Sequence, residues 1–264
     1  MPQSSDDPRP VHPAETDAAA RAAAVAAYYD EYTADYLECS EIIQYGRFAS
    51  DDDEHMRILA ERAGVEDGQH VLDAGCGVGA VMLHLARRFP NARFDGVTLS
   101  REQVRLASER FQAAGLAQRC VARQDNFENL SSADATHDLV LFCETLGYAD
   151  AEASLREAFR VVKPGGAVYV KEILAEERPF SAEEREELDQ FHTSWLYGTH
   201  TPSEVQAIAT SCGFTIEWFD PSYTDSHEMA IRYRATRLRQ RHPLIRGFPP
   251  ITHGDYLLRK PAAS

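Results

Sequence analysis

The sequence has no apolar run that approaches the roughly 20 residues needed to cross a membrane. Its N-terminal stretch is polar and rich in proline and aspartate, without the cationic start and apolar segment of a secretory signal. The five cysteines are scattered, and no CxxC pair suggests a zinc site or a redox pair. We therefore expect a soluble protein of the reducing cytoplasm, with residues 1–16 as a disordered leader and no membrane as a partner.

Positive charge is also scarce, because 27 lysines and arginines stand against 42 aspartates and glutamates and give a net charge of −15. Binding to a nucleic acid normally needs a surplus of positive charge for the phosphates, so a nucleic-acid partner is disfavoured. A short arginine-rich stretch near the C-terminus, which includes Arg232 and Arg234, departs from this balance. It is either the solvated face of a helix or a set of side chains that meets an anionic substrate.

Short apolar segments alternate with longer amphipathic ones from about residue 69 to residue 175. This βαβα order predicts an α/β fold with a parallel sheet, helices on both faces and ligands at the carboxyl ends of the strands. Residues 17–64 predict a helical N-terminal cap, and the core then runs over residues 65–264. A helical insertion is expected at about residues 176–200, and an antiparallel last strand near the C-terminus.

A glycine-rich turn stands between the first strand and the following helix, in the segment VLDAGCGVGA. It contains Gly75, Gly77 and Gly79 behind Asp73, and glycines at such a turn allow a ligand to approach the backbone closely. The spacing is GxGxG, which differs from the GxGxxG of dinucleotide binders and from the GxxxxGKS of phosphate loops. Because further strand–helix units follow, the turn is strong evidence for a cofactor site.

This turn resembles motif I of the class I S-adenosylmethionine-dependent methyltransferases, and the resemblance extends over roughly residues 65–175. It implies a Rossmann-like, seven-stranded and mostly parallel sheet with helical N-terminal and lid additions, and S-adenosylmethionine as the cofactor. The segment RQDNFENL resembles the part that reads the adenine, which implies contacts from Asp125, Asn126 and Phe127. VVKPGG resembles the turn before the fifth strand. Tyr36 lies on a helical face of tyrosines, which we expect either at the cofactor or in the core.

The second strand ends in FDGVTLSREQ, without the acidic residue that usually binds the ribose hydroxyls. This stretch is similar to the variant found in the cyclopropane fatty acid synthase and geranyl diphosphate C-methyltransferase group. The resemblance implies ribose contacts from Thr98, from the backbone of Leu99 and from Gln103, all of them neutral groups. It points to enzymes that methylate the carbon of an alkene.

The acceptor site is expected directly after the fourth strand, in FCETLGYAD. In the geranyl diphosphate C-methyltransferases an acid lies in an Asn-Glu-Ser-x-x-Tyr-x-Asp context, which Glu144, Tyr148 and Asp150 match while Cys143 replaces the asparagine. The resemblance makes Glu144 the catalytic base, with a surface or helix-capping acid as the alternative. A carboxylate there would stabilise the carbocation formed on methylation and remove its proton, and aromatic faces would add cation–π stabilisation.

Further contacts follow from the same resemblance. Tyr45, in QYGRF, resembles the family's His-Tyr-Gly segment and is a second catalytic candidate. Trp195 aligns with a family phenylalanine and is expected either at the substrate or in the core. A prenyl diphosphate also needs Mg²⁺ and polar donors. The candidates for these remaining substrate contacts are Arg47, Tyr148, Lys171, His192, Arg232 and Arg234.

The sequence is thus interpreted as that of an enzyme that transfers methyl from S-adenosylmethionine to an alkene carbon of isopentenyl or geranyl diphosphate, through a carbocation and proton loss. The histidine run of the geranyl diphosphate enzymes is absent and the N-terminal region is shorter, which favours the smaller isopentenyl diphosphate. A small-molecule O- or N-methyltransferase is the alternative, and so is a cofactor-binding module without activity. The acceptor's chain length, the ligands of the Mg²⁺ and the formation of a homo-oligomer are left open.

Overall fold

The computed structural model describes residues 17–221 and 250–263. The predicted leader and the arginine-rich stretch with Arg232 and Arg234 lie outside the described residues. The helices are α1 (Ala18–Leu37), α2 (Asp52–Ala63), α3 (Ala80–Arg88), α4 (Arg101–Ala113), α5 (Ala151–Val161), α6 (Ala182–Trp195) and α7 (Pro202–Ser211). The strands are β1 (His70–Ala74), β2 (Arg93–Thr98), β3 (Cys120–Gln124), β4 (His137–Cys143), β5 (Val162–Ala175), β6 (Thr215–Asp220) and β7 (Ile251–Arg259).

These strands form one sheet in the order β3-β2-β1-β4-β5-β7-β6. Strands β1 to β5 pair in parallel, whereas β7 lies antiparallel between β5 and β6. The predicted α/β fold with a seven-stranded, mostly parallel sheet is confirmed. The chain winds outward in one direction from β1 and in the other from β4, so the loops after these two adjacent strands diverge and leave a crevice between them.

Apolar layers cover both faces of the sheet, because successive residues of a strand point to opposite sides. In β4, Leu139 and Leu141 belong to one apolar cluster, and Val140 and Phe142 belong to the other. Helices α2, α3 and α4 complete the first cluster, and α5 and α7 complete the second. The sheet is therefore buried between two helical layers, which leaves the ends of its strands as the place for a ligand.

The ends of α2 follow the capping signals of its sequence. Asp51 accepts a hydrogen bond from the backbone N–H of Glu54 at 2.9 Å, where the helix begins. Gly64 ends the helix in the left-handed conformation, which glycine adopts at little cost. The acidic first turn lies at the positive end of the helix dipole. Helix-start chemistry thus accounts for the acidic run from Asp51 to Glu54.

The start of β5 differs from the prediction. The segment VVKPGG is expected as a turn, but β5 already begins at Val162, which pairs with His137. Regular pairing resumes at Ala167, and the residues between form an irregular stretch. Pro164 cannot donate a backbone hydrogen bond and Gly165 has a φ of +78°, so neither fits a regular ladder. The predicted turn is therefore the bulged beginning of the strand.

Helix α1 lies beside the crevice, and residues of it line the cavity there. The predicted cap over residues 17–64 contains α1 and α2, and the predicted insertion at about residues 176–200 contains α6. Asp30 of α1 accepts hydrogen bonds from the Ser100 hydroxyl at 2.6 Å and from the Glu102 backbone N–H at 3.1 Å, both at the start of α4. These bonds hold α1 over the sheet edge that carries the glycine turn. No described helix combines the length and the apolar character of a membrane span.

Candidate active site

A cavity of about 680 Å³, its open mouth included, lies where the carboxyl ends of the strands meet α1. A smaller one of about 340 Å³ shares the glycine turn with it. The larger cavity is lined by Ala22, Val25, Tyr29, Ile43, Gly75, Gly77, Thr98, Leu99, Gln103, Asn126, Phe127, Glu128, Cys143, Glu144, Thr145, Tyr148 and Ala149. It therefore brings together predicted cofactor residues from the loops after β1, β2 and β3 and predicted acceptor residues from the loop after β4.

The glycine turn is shaped by its close approach to the next loop. Gly75 has a φ of +99°, and a Cβ on it would lie only 2.7 Å from the Cβ of Thr145. The backbone N–H groups of Gly75 and Cys76 both donate to the carbonyl of Val97, at 2.9 and 3.0 Å. Thr145 in turn donates to the carbonyl of Ala74 at 2.7 Å. A residue with a side chain at position 75 would therefore separate the turn from the loop after β4.

Asp73 is a buried carboxyl group beside the glycine turn. Its Oδ2 atom has no hydrogen-bond partner. Burial raises the pKa of Asp73 to about 7. A buried carboxylate without a partner is costly, and an ammonium group bound beside it would remove that cost. Asp73 thus fits the ammonium group of S-adenosylmethionine.

The predicted ribose contacts form a connected network at the end of β2. The Thr98 hydroxyl donates to the Gln103 side-chain oxygen at 2.6 Å, and the Ser100 backbone N–H donates to the Thr98 hydroxyl at 3.3 Å. The Ser100 hydroxyl caps α4 by accepting from the Gln103 backbone N–H at 3.0 Å. Hydroxyl and amide groups therefore lie at the cavity wall in fixed positions, as binding of a ribose diol without a carboxylate requires.

The predicted adenine contacts are divided between the cavity and a neighbouring loop. Asn126 and Phe127 line the cavity, and Phe127 packs edge-to-face on Phe142 with ring centroids 5.5 Å apart. Asp125 does not line it, because its Oδ2 accepts from the Ser131 hydroxyl at 2.7 Å and from the Ser131 backbone N–H at 3.0 Å. Phe127 and Asn126 thus lie at the cavity, whereas the Asp125 carboxylate stabilises the loop that contains Ser131.

Glu144, the predicted base, lines the cavity, and its position is tightly fixed. It follows β4 with a φ of +59°, a left-handed conformation that a residue with a side chain adopts at a cost of about 1 kcal/mol. Its Oε1 accepts from the Gly46 backbone N–H at 2.7 Å and from the Lys171 ammonium at 2.6 Å. Its Oε2 accepts from the Tyr45 backbone N–H. These three donors hold the carboxylate between the sheet and the loop that joins α1 to α2.

Tyrosine rings surround the same end of the cavity. Tyr29 and Tyr148 both line it, and the Tyr29 hydroxyl donates to the Tyr148 hydroxyl at 2.6 Å. The ring of Tyr148 also packs edge-to-face on Tyr197 with centroids 4.8 Å apart. Burial raises the pKa of Tyr29 and of Tyr148 well above the usual value, so both phenols stay neutral. Two neutral tyrosines thus line the same cavity as the Glu144 carboxylate.

Other predicted substrate residues are buried away from the cavity. The ammonium of Lys171 donates to Glu144 and to the Gly46 carbonyl. The Arg47 guanidinium pairs with Asp52 and donates to the Ala49 carbonyl at 3.3 Å. Both side chains are about 1% exposed, so neither can reach a diphosphate without a rearrangement.

Three further predicted residues pack against neighbours near the acceptor end. Tyr45 stacks on His253 with ring centroids 5.8 Å apart, and it meets Glu144 through its backbone. Trp195 packs on Tyr36 at 6.3 Å, in the cluster of tyrosines on α1. His192 lies 2.9 Å from the Thr199 hydroxyl. Tyr36 is buried in this cluster, Trp195 packs against it half-buried, and neither lines the larger cavity.

Residues that the sequence analysis missed also line or support the cavity. Tyr29 lies off the helical face of tyrosines that contains Tyr36, because a spacing of four residues places Tyr28 and Tyr32 on that face. Asp30 has no sequence signal, since its partners lie in α4. The roles of Tyr29 and Asp30 follow only from the position of α1 over the sheet, which the sequence alone does not give.

The sheet order, the glycine turn and the cavity at the strand ends define one class of protein. Residues 71–166 match the family model described as a methyltransferase domain. The sheet has the class I methyltransferase fold, and the matched segment is similar to a methyltransferase domain.

Comparison with particular proteins shows varied relatives. Methyltransferase phqN of Penicillium fellutanum is 30% identical over 168 residues, which cover 61% of this chain and 51% of phqN. Other curated relatives are named as sterol C-methyltransferases, as a norajmaline N-methyltransferase and as an erythromycin 3''-O-methyltransferase. The chain spans about half the length of the first curated relatives it matches.

Solved structures resemble the fold over nearly the whole chain. The 4+2 cyclase SpnF has a TM-score of 0.75 at 21% identity, over 92% of this chain and 97% of its own. Geranyl diphosphate C-methyltransferase of Streptomyces coelicolor A3(2), solved with Mg²⁺, geranyl diphosphate and S-adenosylhomocysteine, also has a TM-score of 0.75, at 15% identity over 91% of this chain and 98% of its own. At such identities the likeness shows the fold alone.

Proposed function

We propose that the protein methylates an alkene carbon of an isoprenoid diphosphate, with isopentenyl and geranyl diphosphate as the candidate substrates. The observation that carries the proposal is the shared cavity, in which Glu144 and two tyrosines face the same space as the glycine turn. A similar combination of substrate and fold occurs in the geranyl diphosphate C-methyltransferase, which supports the choice of substrate class.

S-adenosylmethionine, when bound, supplies an electrophilic methyl group. In the proposed reaction the alkene's π electrons form the new carbon–carbon bond as the carbon–sulfur bond breaks, and a positive charge appears on the neighbouring carbon. The rings of Tyr29 and Tyr148 stabilise that charge, each by about 1–2 kcal/mol when desolvated. Glu144 then accepts a proton from the adjacent carbon, and the electron pair of that C–H bond restores a double bond.

Glu144 retains the capacity to take this proton. A carboxylate offers about four acceptor positions on its two oxygens. The Gly46 and Tyr45 backbone N–H groups and the Lys171 ammonium occupy three of them, two on Oε1 and one on Oε2. The remaining position is on Oε2. We propose that Lys171 and the two amides orient the base, and that Lys171 does not bind the diphosphate.

The diphosphate needs cations that the described wall does not provide. Within residues 17–221 and 250–263, the side chains that line the larger cavity include the acids Glu128 and Glu144 but no lysine or arginine. We therefore assign the diphosphate contact to Arg232 and Arg234, together with Mg²⁺.

The test is methyl transfer from labelled S-adenosylmethionine to isopentenyl, dimethylallyl and geranyl diphosphate, with Mg²⁺ or with EDTA. We expect a labelled prenyl product that depends on Mg²⁺. Replacing Arg232 and Arg234 by glutamine should raise the KM for the diphosphate at least 10-fold and leave the binding of S-adenosylhomocysteine unchanged. Arg156→Gln, at an exposed position of α5, is the matched control. A lack of label in every prenyl product rejects the substrate class.

A second candidate is a neutral alkene, such as the side chain of a sterol. It is favoured by the apolar and acidic lining of the described cavity, and several curated relatives are named as sterol C-methyltransferases. Such a reaction needs the same base but neither Mg²⁺ nor Arg232 and Arg234. Labelled sterol formed in EDTA would establish it. Methyl found on oxygen or nitrogen by mass spectrometry would instead establish the O- or N-methyltransferase alternative.

A further inference from the structure

A cluster of polar side chains lies towards the amino ends of the central strands, at the opposite end of the sheet from the cavity. His70 begins β1, Asp95 lies within β2 and His137 begins β4, and these three strands are neighbours. The length of β1, five residues or about 16 Å, separates His70 from the glycine turn. The cluster is therefore independent of the cofactor and acceptor residues.

The potential metal ligands of this cluster converge. One ligand atom from each of the three residues lies within 4.8 Å of the other two. The Nε2 atom of His70 is 3.1 Å from Oδ2 of Asp95, and the rings of His70 and His137 have centroids 4.5 Å apart. Ligand atoms around a tetrahedral zinc lie about 3.3 Å apart at the usual bond lengths. One pair already has that spacing, and small side-chain rotations would bring in the third ligand.

His137 is poised as a ligand. Its side chain is fully buried, and one ring nitrogen, Nε2, lies 3.3 Å from the Ser132 hydroxyl. The other nitrogen, Nδ1, has no hydrogen-bond partner. Metal-binding histidines commonly have one nitrogen on the metal and the second oriented by an outer partner. Leaving a buried polar atom without a partner is costly, and coordination would remove that cost.

An arginine already competes for the carboxylate of this cluster. Arg123, 3.5 Å from Asp95, is the competing cation, and it also contacts Asp125 and donates to Ser132.

We propose that His70, Asp95 and His137 bind one divalent transition-metal ion of the zinc type. Two imidazoles and one carboxylate select zinc and its neighbours rather than magnesium or calcium, which prefer oxygen ligands. Three protein ligands leave the fourth position to water, an arrangement that is usual in catalytic sites. The length of β1 separates this cluster from the cavity, so the effect expected of the ion is to join β1, β2 and β4 and to stabilise the sheet.

The experiment uses the untagged 264-residue chain, stripped with EDTA, desalted and titrated with ZnCl₂ by calorimetry. We expect one saturable site and a Tm that rises with Zn²⁺. Co²⁺ in place of Zn²⁺ should give visible absorption bands typical of a low-coordinate site. His70→Gln and Asp95→Asn should each weaken Zn²⁺ binding at least 10-fold. Both positions are partly exposed, so both variants should fold.

The matched control is His84→Gln, because His84 lies 3.0 Å from Asp53 but is part of a pair rather than a trio. This variant should bind Zn²⁺ as the wild type does. The proposal is overturned if no saturable binding occurs below about 100 µM Zn²⁺, a weak limit for a structural site. Equal affinity in wild type, His70→Gln and Asp95→Asn overturns it as well. Methyl transfer is not measured, so failure here is distinct from failure of the proposed function.

Discussion

The buried ion pair between Glu144 and Lys171 allows the proposed base to be tested without confusing catalysis with folding. The Lys171 ammonium lies 2.6 Å from the Glu144 carboxylate, and the two side chains are 1% and 5% exposed. At an effective dielectric constant of about 20, this separation corresponds to an attraction of about 6 kcal/mol before desolvation is subtracted. Removal of one partner from a buried pair costs about 3–5 kcal/mol, because the other charge stays buried.

We therefore expect Glu144→Gln and Lys171→Met each to lower the free energy of unfolding by about 3 kcal/mol. The glutamine variant also turns an amide NH₂ group towards backbone N–H donors of the loop at Tyr45 and Gly46. The double variant contains no uncompensated charge, so it should be far more stable than the sum of the two changes predicts. A coupling energy of about 3 kcal/mol should appear in a double-mutant cycle measured by urea denaturation.

The catalytic part of the prediction is tested by measuring turnover of the wild type, the two single variants and the double variant. The two variants that carry Glu144→Gln should lose at least two orders of magnitude in turnover, whether or not Lys171 is present, and should still bind S-adenosylhomocysteine. Arg57 and Glu61 provide a matched pair at the same 2.6 Å but on an exposed helix face, and their coupling should be close to zero. A coupling below about 1 kcal/mol for Glu144 and Lys171 would refute the buried pair. Unchanged turnover would remove Glu144 from the mechanism.

Three further predictions concern the cavity wall. Because folding raises the pKa of Asp73 from 3.8 to about 7, its contribution to the stability of the ligand-free protein is present below pH 4 and is lost as the pH rises to about 7. Conversely, S-adenosylhomocysteine should bind more tightly above pH 7, and calorimetry of Asp73→Asn should show neither dependence. Gly75→Ala should lower the free energy of unfolding by about 2–4 kcal/mol in urea denaturation, because of backbone strain and the clash with Thr145. Gly68 has a similar φ but open space around it, so Gly68→Ala should cost only about 1 kcal/mol. Equal costs for the two variants would contradict the close approach of Gly75 to Thr145. Tyr29→Phe should keep turnover within about 3-fold and Tyr29→Leu should lose about 10-fold, and equal losses would exclude a role for the ring face.

The fold could be predicted from the sequence because its signals are local. Strand and helix alternate with clear periodicity, and Asp51 and Gly64 mark the ends of a helix by their own backbone chemistry. The exception is the start of β5, where a proline and a glycine indicate a turn. There, pairing of Val162 with His137 extends the strand despite the local signal.

The site was less predictable, because the partners of its charged groups are distant in sequence. Lys171 was predicted as a diphosphate contact, but its partners Glu144 and Gly46 lie 27 and 125 residues away along the chain. A lysine within the apolar strand AVYVKEIL does indicate a buried partner, although it does not say which one. Thr98 and Gln103, which the family resemblance implied as ribose contacts, do line the cavity, because both belong to the short segment from the end of β2 to the start of α4.

Helix α1 contributes neighbouring residues to two different tasks. Tyr29 lines the cavity, and Asp30, the next residue, accepts hydrogen bonds from the start of α4, between the predicted ribose contacts Thr98 and Gln103. A ligand that orders the start of α4 will therefore also order α1, and with it the part of the cavity wall that contains Tyr29. Steady-state kinetics should accordingly show a compulsory order, in which the methyl donor enters first and its demethylated product departs last.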